Sequence, residues 1–438
     1  MSLCFYTWGE KELVVLIIIS TLIDFSCGLI IQNGQRQIGL FLSIVFNIGI
    51  LAYFKYSGFI FTNLVEFLGL FNVTIESAHA FSNVVLPLGI SFYTFQTMSY
   101  TIDVYRGETK ANKNIIDFAT YVTMFPQLIA GPIVRYKTIE KELSNRKVTS
   151  SLMSEGIERF VIGLAKKMLI ANNCALLADN IFNLHHDDLS TGLAWLGVIA
   201  YSFQIYFDFS GYSDMAIGLG KMLGFNFPEN FKYPYTAKSI REFWKRWHIT
   251  LSTWFRDYLY IPLGGNRNSN TRTYVNLFVV FFITGLWHGA NWTFIIWGLF
   301  HGILIAVERL GLGRILSRVP KIIAHVYLIF SICISWVFFR SDSLSEAIHY
   351  IGAMFNFKNQ TNLEFLNYYL STELLIVLVL ATVLSMPVYH KSKLLIKKIG
   401  VSYKILASMR VFSLLVLFIC CLFYIATDSY NPFIYFRF

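Results

Sequence analysis

Residues Tyr274–Val307 read YVNLFVVFFITGLWHGANWTFIIWGLFHGILIAV, and the fold turns on how a membrane could accommodate them. Wound as one helix, the stretch would be roughly 50 Å long, against a hydrocarbon core of ~30 Å. It must tilt steeply, bend, or divide into two short helices, and the expected break is at Gly289, directly after His288. A histidine in the middle of an apolar run is costly unless it is paired or faces water, so His288 is a functional candidate by position alone. With a locally continuous helix, Thr284, His288 and Asn291 share a face and give the imidazole polar neighbours. His301 then falls on roughly the opposite face and reads as structural.

The rest of the chain is of the same kind. Hydrophobic residues make up 55% of it and charged residues 14%, with a mean hydropathy of +0.54; a soluble domain carries about a quarter charged residues. Runs approaching the ~20 apolar residues of a bilayer span occur at Leu13–Ile31, Ile38–Phe54, Val84–Ile102, Ile115–Val134, Leu193–Phe209, Ile322–Phe339, Leu374–Val388 and Val411–Ile425. Pro87, Gly89, Pro126, Gly131 and Pro132 interrupt them, which predicts broken or re-entrant helices whose freed backbone groups face protein or a wet cavity. The net charge of +10 lies in short loops between apolar runs, the pattern of cytoplasmic loops rather than of a nucleic-acid surface. Arg309–Lys321 and the cluster Lys391, Lys393, Lys397, Lys398 and Lys404 read as cytoplasmic. Ser341–Glu373, with Asp342, Glu346, Glu364 and Glu373 against Lys358, reads as external. The six cysteines lie mainly in apolar runs without metal-ligand spacing and read as small core residues, so no metal site is expected. The first apolar run is too long for a cleavable signal peptide. With no linker, low-complexity tract or repeat, residues 1–438 read as a single membrane domain.

Two further regions stand out. Gly156–Leu177 sets Arg159, Lys166 and Lys167 among apolar residues and suits an amphipathic interface helix. Ala237–Tyr260 contains REFWKRWHITLSTWFRDYLY. Wound as a helix, it puts Arg241, Lys245, His248, Ser252 and Arg256 on one stripe and Phe243, Trp244, Trp247, Leu251, Trp254 and Tyr258 on another. Such a helix should lie at or dip into the membrane boundary, with His248 in the stripe where an anionic ligand would bind.

Beyond these physical readings, the sequence resembles the membrane-bound O-acyltransferase family, in its bacterial alginate O-acetyltransferase branch. The resemblance rests on YTWGEKE, on LPLGISFYTFQTMSYTIDVYRGE at Leu86–Glu108 and on FPQLIAGPIVRY at Phe125–Tyr136. It continues through FDFSGYSDMAIGLGKMLGF, NFKYPYTAKSIREFWKRWHITLSTWFRDYLYIPLGGNR, GLWHGANWTFIIWGLFHG and the terminal PFIYFRF. Relatives carry a further apolar segment before YTWGE, which this sequence lacks. The resemblance implies an all-α, multi-pass integral membrane protein with re-entrant and broken helices around a central channel. It also implies a catalytic histidine at His288, in WHG, and a second at His248, in FWKRWH.

Further expectations follow from the resemblance. The donor would be a cytosolic thioester, acetyl-CoA, used as co-substrate with no bound cofactor. The acceptor would be hydroxyls of a cell-surface polysaccharide, reached through a partner acetyltransferase of the SGNH-hydrolase type, in the cytoplasmic membrane of a bacterium. The chain has no GxSxG nucleophile elbow of its own. Taking a hydroxyl proton suits an imidazole, hence His288 as general base, with His248 orienting the acceptor, bonding the donor or relaying a proton. Asn291, Trp287 or backbone N–H groups at a helix break could serve a developing oxyanion. Arg241, Lys245, Arg246 and Arg256 could attract the phosphates of coenzyme A. D-alanyl transfer to teichoic acid and a non-enzymatic transporter or flippase are the competing readings.

Overall fold

Where Tyr274–Val307 was too long for the bilayer, the chain divides. The computed structural model describes residues 2–73, 84–357, 368–388 and 402–427; the Lys391, Lys393, Lys397 and Lys398 cluster and the terminal PFIYFRF lie outside them. Among the described residues every regular element is helical. The first are α1 Ser2–Glu10, α2 Val14–Gln32, α3 Arg36–Leu51, α4 Ser57–Gly69 and α5 Ile90–Arg106. Next come α6 Ile115–Thr123, α7 Phe125–Leu128, α8 Tyr136–Asn145, α9 Ser150–Ala165, α10 Asn172–Phe182 and α11 Thr191–Met222. After them are α12 Ile240–Trp244, α13 Ile249–Phe255, α14 Asn270–His288, α15 Trp292–Val307, α16 Gly313–Arg318, α17 Lys321–Arg340 and α18 Leu344–Met354, followed by helices Thr372–Leu384 and Tyr403–Ala426.

Length and composition qualify six stretches as membrane spans: Ser2–Gln32, Arg36–Gly69, Ser150–Phe182, Trp292–Arg318, Lys321–Arg340 and Lys404–Ala426. Their outer faces carry exposed large apolar residues such as Ile38, Phe41, Ile303, Val326 and Phe412, the surface that lipid would cover. The protein is therefore an all-helical, multi-pass membrane protein. Ile115–Val134 is not a crossing. Its helix stops where Met124 becomes extended, and Pro126 opens the short α7, because proline suits a first turn but not a helix interior. Gly156–Leu177 departs from expectation in the other direction. It belongs to a long apolar helix, and the cations that suggested an interface pair with carboxylates of α11: Lys166 Nζ lies 2.6 Å from Asp214 and Lys167 Nζ 2.7 Å from Asp208.

α9 and α11 run antiparallel with glycines facing. A Cβ on Gly163 would stand 2.6 Å from Gly211 O, and one on Gly156 would stand 2.7 Å from Gly218 O. Small residues let backbones approach closely where no hydrophobic force drives helices together in lipid.

α5 is buried nearly all round and divides two apolar cores. Tyr93, Tyr100 and Val104 face one, built with α2 and α6–α8, and Phe92, Phe95 and Met98 face the other, which holds α11–α15 and α17. In the first core, Asp24 accepts hydrogen bonds from Ser43 at 2.5 Å and Asn47 at 2.9 Å, so its carboxyl is satisfied internally. The second core contains the histidines.

Candidate active site

α14 and α15 form a tight hairpin with His288 as the last residue of α14. Gly289 is extended (φ −165°, ψ 151°) and Asn291 caps α15, accepting from Thr293 N at 3.1 Å. The break predicted after His288 is thus present. Asn291 Nδ2 also bonds Asp342 O at 2.9 Å, which ties the hairpin tip to the end of α17. His288 is 3% exposed and ringed by Trp287, Trp297 and Phe339 at centroid distances of 5.0, 4.9 and 5.2 Å.

Because the hairpin turns back, the opposite-face argument about His301 no longer holds. His301 is completely buried and lies 5.1 Å from the same Trp297 ring, with Trp244 at 5.3 Å on another side. Both of its ring nitrogens lack a hydrogen-bond partner among the described residues.

Ala237–Tyr260 is not one helix either. The Glu308 carboxylate accepts from Ile240 N at 2.6 Å and Arg241 N at 3.1 Å, which starts α12. The chain then turns at His248, whose φ of 43° and ψ of 53° are left-handed. A non-glycine residue there carries strain, and such residues concentrate at functional sites. The kink removes His248 from the cationic stripe: Arg241, Lys245 and Arg256 are exposed, whereas His248 is fully buried. Trp244, Trp247 and Trp254 are likewise packed inside the protein rather than anchored in lipid.

Asn230 holds this turn. Its backbone O accepts from Ile249 N at 2.9 Å, and its Oδ1 accepts from Thr250 N at 3.3 Å and Thr250 Oγ1 at 2.9 Å. Since a backbone N–H can only donate, the side-chain atom facing it is the oxygen. That same oxygen lies 3.1 Å from His248 Nδ1, so Nδ1 carries the proton and Nε2 presents a lone pair. Nε2 has no partner among the described residues. Trp287 stands between the two histidines, 6.0 Å from the His248 ring and 5.0 Å from the His288 ring.

The other candidates separate. Trp287 Nε1 donates to Ser91 O at 3.4 Å, and the Asn291 amide is committed to Asp342 and Thr293, so both oxyanion candidates already have structural work. Trp297 Nε1 is a buried donor beside His288 with no partner among the described residues. Of the cations, Arg246 pairs with Glu242 at 2.5 Å and Arg256 with Asp257 at 2.7 Å, while Arg241 and Lys245 form no ion pair among the described residues.

Lys55, like Asn230 and Trp297, has no counterpart among the sequence candidates. Lys55 Nζ lies 2.5 Å from Trp287 O, 3.4 Å from His288 O and 3.1 Å from Ser91 Oγ. The available signal was a lone lysine continuing the apolar run Ile38–Phe54, since an ionisable residue within a membrane helix is a functional candidate by default.

The many-helix membrane fold thus buries two histidines around one indole, one at a hairpin tip and one at a strained turn. Residues 110–339 match the membrane-bound O-acyltransferase family. The chain is similar to a probable alginate O-acetylase AlgI of Pseudomonas putida, 42% identical over 459 residues covering 100% of this chain and 93% of that protein. It is also similar to the peptidoglycan O-acetyltransferase of Helicobacter pylori, 38% identical over 81% of this chain and 72% of that protein. A teichoic acid D-alanyltransferase of Bacillus subtilis is 30% identical over 52% of this chain and 60% of its own length. The chain belongs to the membrane-bound O-acyltransferase family and is an O-acyltransferase.

Proposed function

We propose that the protein moves an acetyl group from acetyl-CoA at the cytoplasmic face to hydroxyls of an extracytoplasmic polysaccharide, with His288 as general base. The observation that carries this reading is the placement of His288 at a hairpin tip tied to Asp342, while the broken segment bearing His248 starts from Glu308 at the other end of α15. Donor and acceptor could then approach from opposite sides of one thin layer. Arg241 and Lys245, exposed and without an ion pair among the described residues, are the cations suited to coenzyme A phosphates.

In this mechanism a neutral His288 takes the acceptor hydroxyl proton as its oxygen attacks the thioester carbon. Trp297 Nε1 donates to the developing oxyanion. The C–S bond breaks and the imidazolium returns its proton to the departing thiolate. His248, with Nδ1–H held by Asn230, offers Nε2 to orient the acceptor. In this reading the acceptor hydroxyl at His288 is presented by a partner of the SGNH-hydrolase type, which carries the acetyl group on to the polysaccharide, and the protein itself sits in a bacterial cytoplasmic membrane. The relatives named as O-acetylating enzymes match over more of this chain than the D-alanyl-transferring one, which favours acetyl as the cargo.

The test is acyl transfer from labelled acetyl-CoA by full-length protein in lipid, at equal expression. His288→Ala should lose about 10²–10⁴-fold, the usual contribution of a general base, while folding and inserting normally. His301→Ala is the matched control. An active His288 variant removes the assignment; equal loss in a well-folded His301 variant shows that the two histidines were wrongly ranked.

A further inference from the structure

Lys55 lies in a membrane-spanning helix, and among the described residues no carboxylate pairs with it. An ammonium in that setting is expensive unless something replaces its water. Here the replacement is the end of another helix. The last carbonyls of a helix have no partner within it and carry the negative end of its dipole. Lys55 Nζ meets those of Trp287 and His288 at 2.5 and 3.4 Å, and the neighbouring Tyr56 hydroxyl donates to Leu286 O at 2.9 Å. Three successive carbonyls at the end of α14 are thus held by two adjacent side chains more than two hundred residues away in sequence. Both belong to a π-helical turn, Ala52–Tyr56. Such a turn inserts a residue into a helix and is frequent at functional sites.

The same membrane helix grips the far side of the tip. Asn63 Oδ1 accepts from Trp292 Nε1 at 2.8 Å, and Phe59 packs on that indole at 5.7 Å. Residues 55–63 therefore span the gap between α14 and α15. The third N–H of Lys55 reaches Ser91 Oγ at 3.1 Å at the start of α5, whose backbone O takes the Trp287 indole N–H.

We propose that Lys55 is a positioning residue for acyl transfer: it clamps the end of α14 and fixes the backbone from which His288 projects. This rests on the catalytic reading of His288, and the clamp is separable from it by experiment. A misplacement of about 1 Å at a reacting group can cost about 10²-fold in rate. That is the loss in kcat expected for Lys55→Met, with KM for the acyl donor unchanged. Lys55→Arg retains a cation that can reach the same carbonyls and should restore most of kcat. Tyr56→Phe removes a single cap bond and should reduce kcat less.

The test uses full-length protein in lipid nanodiscs with two readouts. One is kcat and KM with labelled acetyl-CoA, and the other is the rate at which diethyl pyrocarbonate modifies His288, followed by mass spectrometry. Release of the helix end should speed His288 modification in Lys55→Met and return it to the parent rate in Lys55→Arg. Unchanged modification, unchanged kcat, or an arginine variant as impaired as the methionine one overturns the proposal. A lowered melting temperature with intact kcat also overturns it, because the contact would then be a structural cap only. If Lys55→Met does not fold, Tyr56→Phe and Lys55→Arg decide by the same two readouts. If His288→Ala proves active, the catalytic reading fails, while the modification rate still reports whether Lys55 fixes that residue.

Discussion

Trp297 is where the apolar text of the sequence hides a polar group. Its ring is 1% exposed and touches both His288 and His301, yet its N–H has no partner among the described residues. A buried, unsatisfied donor costs free energy, so a ligand atom is the natural complement. Trp297→Phe keeps an aromatic ring against His288 and removes the donor. It should lower kcat by about 10²–10³-fold, as loss of one oxyanion donor does elsewhere, with donor KM nearly unchanged in steady-state assays; unaltered kcat would return Trp297 to a packing role. His288 stood out as a candidate because it lies mid-way along an apolar run, at the expected helix break, although the same run also holds His301. Asn230 and Trp297 could not be ranked, since each acquires its part only from a contact made in three dimensions; Lys55 was legible as an ionisable residue in an apolar run, but its carbonyl partners on α14 were not.

The helices show the same division between what length dictates and what partners decide. The break after His288 follows from a stretch longer than the bilayer is thick and a glycine at the needed place. The turn at His248 does not follow from helical periodicity, because Glu308 and Asn230 take up backbone groups that a continuous helix would have used itself. Arg159, Lys166 and Lys167 suggested a surface helix because periodicity cannot reveal that Asp208 and Asp214 await them on α11. That packing needs glycine. Gly163→Leu should push α9 from α11, separate the Lys166–Asp214 and Lys167–Asp208 pairs, and destabilise by about 1–3 kcal/mol or more, as overpacking does. Gly49→Leu is the control, since a Cβ there meets nothing within 4 Å. Thermal unfolding in detergent compares them, and equal melting temperatures would contradict the close-packed seam.

Across the molecule, orientation decides which side of the membrane the His288 hairpin tip faces. The acidic Ser341–Glu373 stretch is expected outside and Arg309–Lys321 inside, and α15 and α17 join these two levels. In a background with its six cysteines replaced, a cysteine at Ser345 should react with an impermeant thiol reagent in intact cells, and one at Ser317 should not. The reverse pattern would invert the protein and put His288 near the cytoplasm. The hairpin that carries His288 also constrains how the chain is made. Lys55, Tyr56 and Asn63 emerge from the ribosome long before the α14–α15 segment they hold. The receiving surface can therefore already be in the membrane when the hairpin is synthesised, so the loop carrying His288 is seated late, onto a prepared dock, and a nascent chain stalled before Asn270 would carry the dock with nothing to hold.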